Sequence, residues 1–231
     1  MKAIAVFASG SGTNFEAIAQ ACADGRLQAR IALMVCDVPG APVIARAERF
    51  GIETFVFNPK SYNGKAAYEA EIVRLLDRHD IQLVCLAGYM RIVGPTLLQA
   101  YEGRIINIHP SLLPSFKGAH AVEDAVAYGV KVYGITIHYV NDQLDGGQII
   151  AQRAFPYEGS DPAEVHRLGQ VIDIKKQIFL SFNEVLINNA NCLKLLNMAT
   201  FNNALCNLYC IGGGAFAEIV GNDPQVQGVR L

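Results

Sequence analysis

The segment AIAVFASGSGTN, residues 3–14, decides the fold class of this chain. Its first half is a continuous apolar run, which is typical of a strand buried on both faces of a parallel sheet. Glycines then let the backbone turn tightly, and a helical pattern begins near Asn14. The segment therefore predicts a strand, a tight loop and a helix in direct succession. Because the first amides of a helix attract anions, this loop is a candidate phosphate site.

Strands and helices continue to alternate as far as about residue 104. Further short apolar runs are predicted strands at residues 31–36, 54–57 and 82–87. The helical patterns between them lie at residues 14–24, 41–50 and 66–80. Such alternation indicates an α/β protein, because each strand–helix–strand unit adds a parallel strand through a right-handed crossover. We expect a doubly wound, mostly parallel sheet with helices on both faces.

The pattern changes in the following stretch. The predicted elements there are a strand at 104–108, a helix at 120–128, strands at 132–140 and 148–155, and a helix at 162–186. The turn-rich residues 141–147 join the last two strands, which is typical of a hairpin or a looped connection. Pro162 suits the first turn of the final helix, and that helix would close the domain.

The last 44 residues, 188–231, differ in composition from the rest of the chain. They carry only four charged residues, and they contain eight asparagines and three of the six cysteines. No alternation of strands and helices is visible in them. We therefore predict a catalytic domain over residues 1–187 and an atypical, Asn- and Cys-rich extension over residues 188–231.

Composition excludes several classes of protein. Hydrophobic residues make up 52% of the chain, enough for a sizeable core, so a mainly disordered chain is excluded. The net charge of −2 offers no basic surface for nucleic acid. The cysteines lack CxxC spacing and the sequence lacks an HExxH motif, so neither a disulfide scaffold nor a metal site is expected. No apolar run is long enough for a membrane span, and we expect a cytoplasmic protein.

The glycine loop matches neither of two common nucleotide-binding motifs. A P-loop requires Lys-Ser or Lys-Thr after its last glycine, and none follows Gly12. A dinucleotide fingerprint requires a third glycine where Phe15 stands, although Asp37 at the end of the second strand is a candidate acid for a ribose. Three interpretations remain open: a phosphate-monoester site, a dinucleotide site and a plain strand–helix turn.

Three polar residues form a candidate catalytic group. Asn107 and His109 lie near the carboxyl end of a predicted strand, on the same face, and Asp145 lies in a turn beside two glycines. In open α/β sheets, ligands bind outside the carboxyl ends of the strands. An amide stabilises a developing oxyanion, and a carboxylate beside a histidine favours the charged imidazolium. These residues suit acyl transfer without a covalent nucleophile. His138, on another strand, is interpreted as a structural residue or a support for its neighbours.

Four motifs carry a resemblance to a known family. They are Ser9–Asn14 (SGSGTN), Leu86–Ile92 (LAGYMRI), Asn107–Pro114 (NIHPSLLP) and Leu144–Gly147 (LDGG). In this order and over about residues 1–165, the chain resembles the phosphoribosylglycinamide formyltransferases. The second pair of motifs is shared with other enzymes that use formyltetrahydrofolate, and the N-terminal loop narrows the choice.

The resemblance implies a Rossmann-like formyltransferase fold and transfer of a formyl group from 10-formyltetrahydrofolate to the amine of glycinamide ribonucleotide in purine biosynthesis. It implies a catalytic trio of Asn107, His109 and Asp145. The phosphate of the nucleotide would bind Gly12, Thr13 and Asn14. The folate would bind Lys65, Met90, Arg91, Ile92, Val93, Asn107, Asn141 and Asp145. The implied partners are these two small molecules, without a metal, a nucleic acid or a membrane.

The resemblance ends near Val165. In the family, an acidic residue of the last helix contacts the substrate, and Asp173 is the nearest candidate for it here. Two relatives that also use formyltetrahydrofolate, a formyltetrahydrofolate hydrolase and a methionyl-tRNA formyltransferase, remain alternative functions. The divergence adds a third alternative, a catalytically inactive module that binds nucleotide or folate.

Overall fold

The computed structural model describes residues 1–159, and these form a single sheet of seven strands with helices on both faces. The strands are β1 (Lys2–Phe7), β2 (Ala29–Cys36), β3 (Thr54–Val56), β4 (Leu83–Leu86), β5 (Ile105–His109), β6 (Val132–Tyr139) and β7 (Ile149–Pro156). The α-helices are α1 (Thr13–Ala23), α2 (Pro42–Arg49), α3 (Lys65–Arg78), α4 (Pro95–Ala100) and α5 (Ala121–Tyr128), and a 3₁₀-helix spans Pro59–Ser61.

The strand order across the sheet is β3-β2-β1-β4-β5-β6-β7. Neighbouring strands from β3 to β5 pair in parallel, whereas β6 and β7 pair antiparallel to their neighbours. The chain winds outward from β1 in one direction and then, from β4 onward, in the other. This arrangement confirms the predicted doubly wound, mostly parallel sheet. The antiparallel pairing of β6 with β7 makes their connection a hairpin, one of the two predicted possibilities.

The central strand β1 is apolar at every position after Lys2 because helices cover both of its faces. Ile4 and Val6 pack on one face of the sheet with residues of α1 and α2. Ala5 and Phe7 pack on the other face with residues of α3 and α4. All four side chains are fully buried. A strand covered on both faces has no polar side, and its burial fixes the position of the loop that follows it.

The sequence-based prediction missed α4, a helix of six residues, too short to display a periodic pattern. Pro95 occupies its first turn, and the buried Glu69 carboxylate accepts the Gly94 and Leu97 amide hydrogens at its start. The helix is therefore stabilised by a residue of α3 that is distant in sequence.

Some expectations concern residues outside the described range of 1–159. These are the predicted helix at 162–186, the substrate contact Asp173, the domain boundary between residues 187 and 188, and the extension at 188–231. They stay predictions. Within the described range, no helix is long and apolar enough to cross a membrane.

Candidate active site

A cavity of about 490 Å³ opens at the carboxyl ends of β1, β4 and β5. The predicted site residues that line it are Gly12, Thr13, Asn14, Met90, Arg91, Ile92, Val93, Asn107, His109, Asn141 and Asp145. Of the predicted site residues that lie within residues 1–159, all except Lys65 therefore line one cavity. In a doubly wound sheet, the gap between strands whose crossovers run in opposite directions, here β1 and β4, is where ligands bind.

The glycine loop forms one wall of the cavity and leads directly into α1. Gly12 adopts a left-handed conformation with φ of 76°, and an added Cβ there would lie 2.5 Å from Cγ2 of Val43. Only glycine fits this position. Arg46 of α2 also contacts the loop, since its guanidinium donates to the carbonyl of Ser11 at 2.7 Å. The loop therefore holds the first amides of α1, at Thr13 and Asn14, beside the cavity, where they suit an anion.

Asn107 and His138 face each other across neighbouring strands. The antiparallel register of β5 and β6 places the two residues directly opposite, and Asn107 Nδ2 lies 3.2 Å from His138 Nε2. His138 Nδ1 donates to the carbonyl of Tyr139 at 2.8 Å. Burial lowers the pKa of His138 below its usual value, which favours the neutral ring. Nε2 then accepts a hydrogen bond from Asn107, and this bond orients the Asn107 amide.

His109 is buried and is held through its other ring nitrogen. Nε2 donates to the carbonyl of Phe116 at 2.9 Å, which leaves Nδ1 directed to Asp145. Phe116 has a φ of 52°, an unusual value for a residue with a large side chain. The position of the Phe116 carbonyl therefore fixes which nitrogen of His109 faces Asp145.

Asp145 lies between the two histidines. Its Oδ2 accepts the Gly118 amide hydrogen at 2.8 Å and lies 3.6 Å from His109 Nδ1, and its Oδ1 lies 3.6 Å from His138 Nε2. Gly147 is required here because an added Cβ would lie 1.8 Å from the carbonyl of Tyr139. The 3.6 Å distances exceed a hydrogen bond, and catalytic contacts of this length commonly shorten when substrate binds.

The loop at residues 88–93 forms another wall of the cavity, next to the glycine loop. Met90 and Ile92 expose 72% and 68% of their surface, so this loop offers an apolar edge to a ligand. Lys65 does not line the cavity; its ammonium group donates to the carbonyl of Ile92 at 2.9 Å. Lys65 therefore contacts the outer side of the loop that was predicted to bind the same ligand.

Asp37 was a candidate acid for the ribose of a dinucleotide. In the structure its Oδ1 accepts the Ser9 hydroxyl hydrogen, and its Oδ2 accepts Arg91 Nε–H at 2.7 Å. The residue is only 4% exposed. Both carboxylate oxygens are therefore engaged by side chains, which argues against the dinucleotide interpretation.

A model of the formyl transferase family matches residues 2–167 of the chain. The chain belongs to the formyl transferase family. The match ends close to the limit of the expected resemblance, near residue 165. A phosphoribosylglycinamide formyltransferase of Bacillus subtilis is 54% identical to this formyltransferase over 173 residues, which is 73% of this chain and 89% of that protein.

Further similarities agree with the family. The structure of glycinamide ribonucleotide transformylase 1 from Geobacillus kaustophilus superposes with a TM-score of 0.74 at 50% identity, covering 80% of this formyltransferase and 98% of that chain. A trifunctional purine biosynthetic protein of Gallus gallus is 41% identical over 161 residues, which cover 70% of this chain but 16% of that protein. This formyltransferase therefore aligns with one segment of the larger protein.

His138 is one of the cavity-lining residues that sequence reasoning did not select as a candidate. It was interpreted as structural or supporting, and in this formyltransferase it lies in the cavity wall with contacts to Asn107 and Asp145. Strand alternation predicts on which face of the sheet His138 lies. Only the pairing of β6 with β5 shows that Asn107 is its neighbour. A prediction of that antiparallel register would have found it. Within residues 1–159 there is no group of three or more His, Cys, Asp or Glu residues placed to hold a metal ion.

Proposed function

We propose that this formyltransferase transfers the formyl group of 10-formyltetrahydrofolate to the amine of glycinamide ribonucleotide, a reaction of de novo purine biosynthesis. The observation that carries this proposal is the convergence of Asn107, His109 and Asp145 in one cavity, which the glycine loop and the loop at residues 88–93 also line. The identity of 54% to a phosphoribosylglycinamide formyltransferase supports the choice of substrates.

The phosphate of glycinamide ribonucleotide binds at the glycine loop. Gly12, Thr13 and Asn14 present the start of an eleven-residue helix to the cavity, and a helix N-terminus favours negative charge. Arg46, which is ion-paired with Glu16, holds the loop in place through its hydrogen bond to the carbonyl of Ser11. A phosphate bound here leaves the rest of the nucleotide free to extend toward β5.

The folate binds along residues 90–93 and the loop that contains Asn141 and Asp145. Met90 and Ile92 supply exposed apolar surface, and the backbone of the loop supplies polar groups for the edges of the pterin ring. An apolar cleft with a few fixed polar groups suits a flat heterocycle. The formyl group then lies near Asn107 and His109.

The reaction proceeds by direct attack of the substrate amine on the formyl carbon. A carbon–nitrogen bond forms, and the π electrons of the formyl group move to its oxygen. Asn107 Nδ2–H and the imidazole ring of His109 stabilise this oxyanion, and Asp145, whose Oδ2 lies 3.6 Å from His109 Nδ1, helps to orient that ring. The amine proton leaves through a bound water held by Asp145. When the oxyanion collapses, the bond to N10 of the folate breaks, N10 takes a proton, and tetrahydrofolate departs.

The test is a formyl-transfer assay on the full chain. Tetrahydrofolate should form from 10-formyltetrahydrofolate only when glycinamide ribonucleotide is added, and formylated ribonucleotide should form in equal amount. Release of tetrahydrofolate with water alone would contradict the proposal and favour a hydrolase. Binding of both ligands without turnover would favour the inactive module. Formylation of methionyl-tRNA would favour a relative of methionyl-tRNA formyltransferase.

A further inference from the structure

Three loops meet at one buried carboxylate on the side of the cavity away from the reacting groups. Asp37 directly follows β2, Ser9 follows β1, and Arg91 follows β4. Because β2, β1 and β4 are adjacent in the sheet, their carboxyl ends lie side by side. Asp37 joins the other two residues, one through each carboxylate oxygen.

The contacts close into a ring. The Ser9 hydroxyl donates to Asp37 and accepts the Met90 amide hydrogen at 2.8 Å. Arg91, the next residue, donates its Nε–H to Asp37 at 2.7 Å. Two consecutive residues of the 88–93 loop are therefore held, one by its backbone and one by its side chain. The Ser9 amide also donates to the carbonyl of Gly88 at 3.0 Å, which is a further link between the glycine loop and the 88–93 loop.

The charge distribution gives Asp37 the central position in this ring. Its side chain is 3% exposed, whereas that of Arg91 is 41% exposed. A buried carboxylate with both oxygens in hydrogen bonds, one of them from a cation, is strongly oriented. Removal of the carboxylate charge would leave the partly exposed Arg91 free to turn into solvent. It would also weaken the link from Ser9.

We propose that Asp37 is a positioning residue for substrate binding, which holds the glycine loop and the 88–93 loop at a fixed separation. The inference rests on the proposed function, because these loops form the phosphate and folate ends of the cavity. Asp37 has no hydrogen bond to Asn107, His109 or Asp145 among the contacts of the described residues. Its loss should therefore raise KM for both substrates and change kcat little.

The test compares Asp37→Asn and Ser9→Ala with the unaltered full chain. Asp37→Asn keeps the shape of the side chain and one acceptor oxygen, but it places an amide N–H against the N–H of Arg91 Nε. We expect KM for each substrate to rise about tenfold, which corresponds to the loss of one charge-assisted hydrogen bond. Ser9→Ala removes the link between Asp37 and Met90, and about a threefold rise is expected. In both variants kcat should stay within about threefold.

Asp24→Asn is the matched control, because Asp24 forms an exposed ion pair with Arg26 at the far end of α1. This control should keep every constant. A purely structural role for Asp37 would lower the melting temperature and leave both KM values unchanged, and that outcome would overturn the inference. If Asp37→Asn does not fold, Ser9→Ala decides: an unchanged KM for both substrates overturns it as well.

Formyl transfer by the unaltered chain distinguishes a failure of the proposed function from a failure of the role of Asp37. Absence of formyl transfer by that chain contradicts the proposed function and the role of Asp37 with it. Transfer by the unaltered chain, with unchanged constants in both folded variants, contradicts the role of Asp37 alone.

Discussion

The cavity has two sides that are built differently. The binding side consists of the glycine loop, which follows β1, and residues 88–93, which follow β4; both lie at the ends of parallel strands. Asp37, which follows β2, links these two loops. On the reaction side, β5, β6 and the loop between β6 and β7 hold the candidate catalytic residues. The binding side lies at the ends of parallel strands, whereas the reaction side depends on antiparallel pairing.

This difference separates positioning from chemistry. On the binding side the backbone carries the site: helix amides, a glycine with positive φ and loop carbonyls. On the reaction side, side chains carry it, and each is oriented by a single partner, as Phe116 orients His109 and His138 orients Asn107. Changes on the binding side should therefore appear mainly in KM, and changes on the reaction side mainly in kcat.

The largest expected effect is that of His109→Ala on the reaction side. Loss of the imidazole that stabilises the oxyanion should reduce kcat about a hundredfold to ten-thousandfold, while folate binding is retained. Steady-state kinetics and calorimetric titration with tetrahydrofolate measure the two quantities. His79→Ala is the control, since His79 lies at the end of α3 beside Glu53. Unchanged turnover in His109→Ala would refute the mechanism, and lost folate binding would refute the separation of the two sides.

Gly12→Ala tests the binding side with a smaller expected effect. The added methyl group would lie 2.5 Å from Val43, and the φ of 76° is strained for alanine. We expect KM for glycinamide ribonucleotide to rise tenfold or more, with a loss of stability of about 1–3 kcal/mol.

Gly25→Ala is a matched control for this substitution. Gly25 has a φ of 71°, but an added Cβ there meets nothing within 4 Å. It therefore carries the backbone strain without the steric contact and lies away from the cavity. The difference between the two variants in KM and in the free energy of unfolding isolates the contact with Val43. Equal effects on KM would show that the close packing of the loop on α2 does not hold the phosphate site.

The same contrast explains what the sequence could predict. The residues of the binding side lie in contiguous motifs, Ser9–Asn14 and Leu86–Ile92, so local patterns are enough to find them. The ring around Asp37 and the start of α4 on Glu69 join residues distant in sequence, and no local pattern contains them. On the reaction side, Asn107 and His109 were predicted from strand alternation, but the register with β6 that adds His138 is a property of the folded sheet.

The orientation of Lys65 was beyond sequence reasoning for a similar reason. A lysine at the first position of α3 is compatible with a ligand contact or with a backbone contact, and the choice depends on where the 88–93 loop lies. The structure pairs its ammonium group with the carbonyl of Ile92. Flexible side chains with several possible acceptors are decided by tertiary packing, so spacing alone does not fix them.

The smallest expected effect concerns pH on the reaction side. Burial lowers the pKa of His138 in the folded protein, so below about pH 6.5 the unfolded chain binds a proton that the folded chain does not. The contribution of His138 to stability is therefore full above its unfolded pKa and is lost as pH falls toward its folded pKa. Denaturant unfolding at pH 7.5, 6.5 and 5.5 should show a steeper acid-side decline in the unaltered chain than in His138→Gln, by less than about 1.4 kcal/mol per pH unit for one proton. Parallel declines in the two proteins would mean that His138 is not held neutral, and Asn107 would then lack the acceptor that orients it on the reaction side.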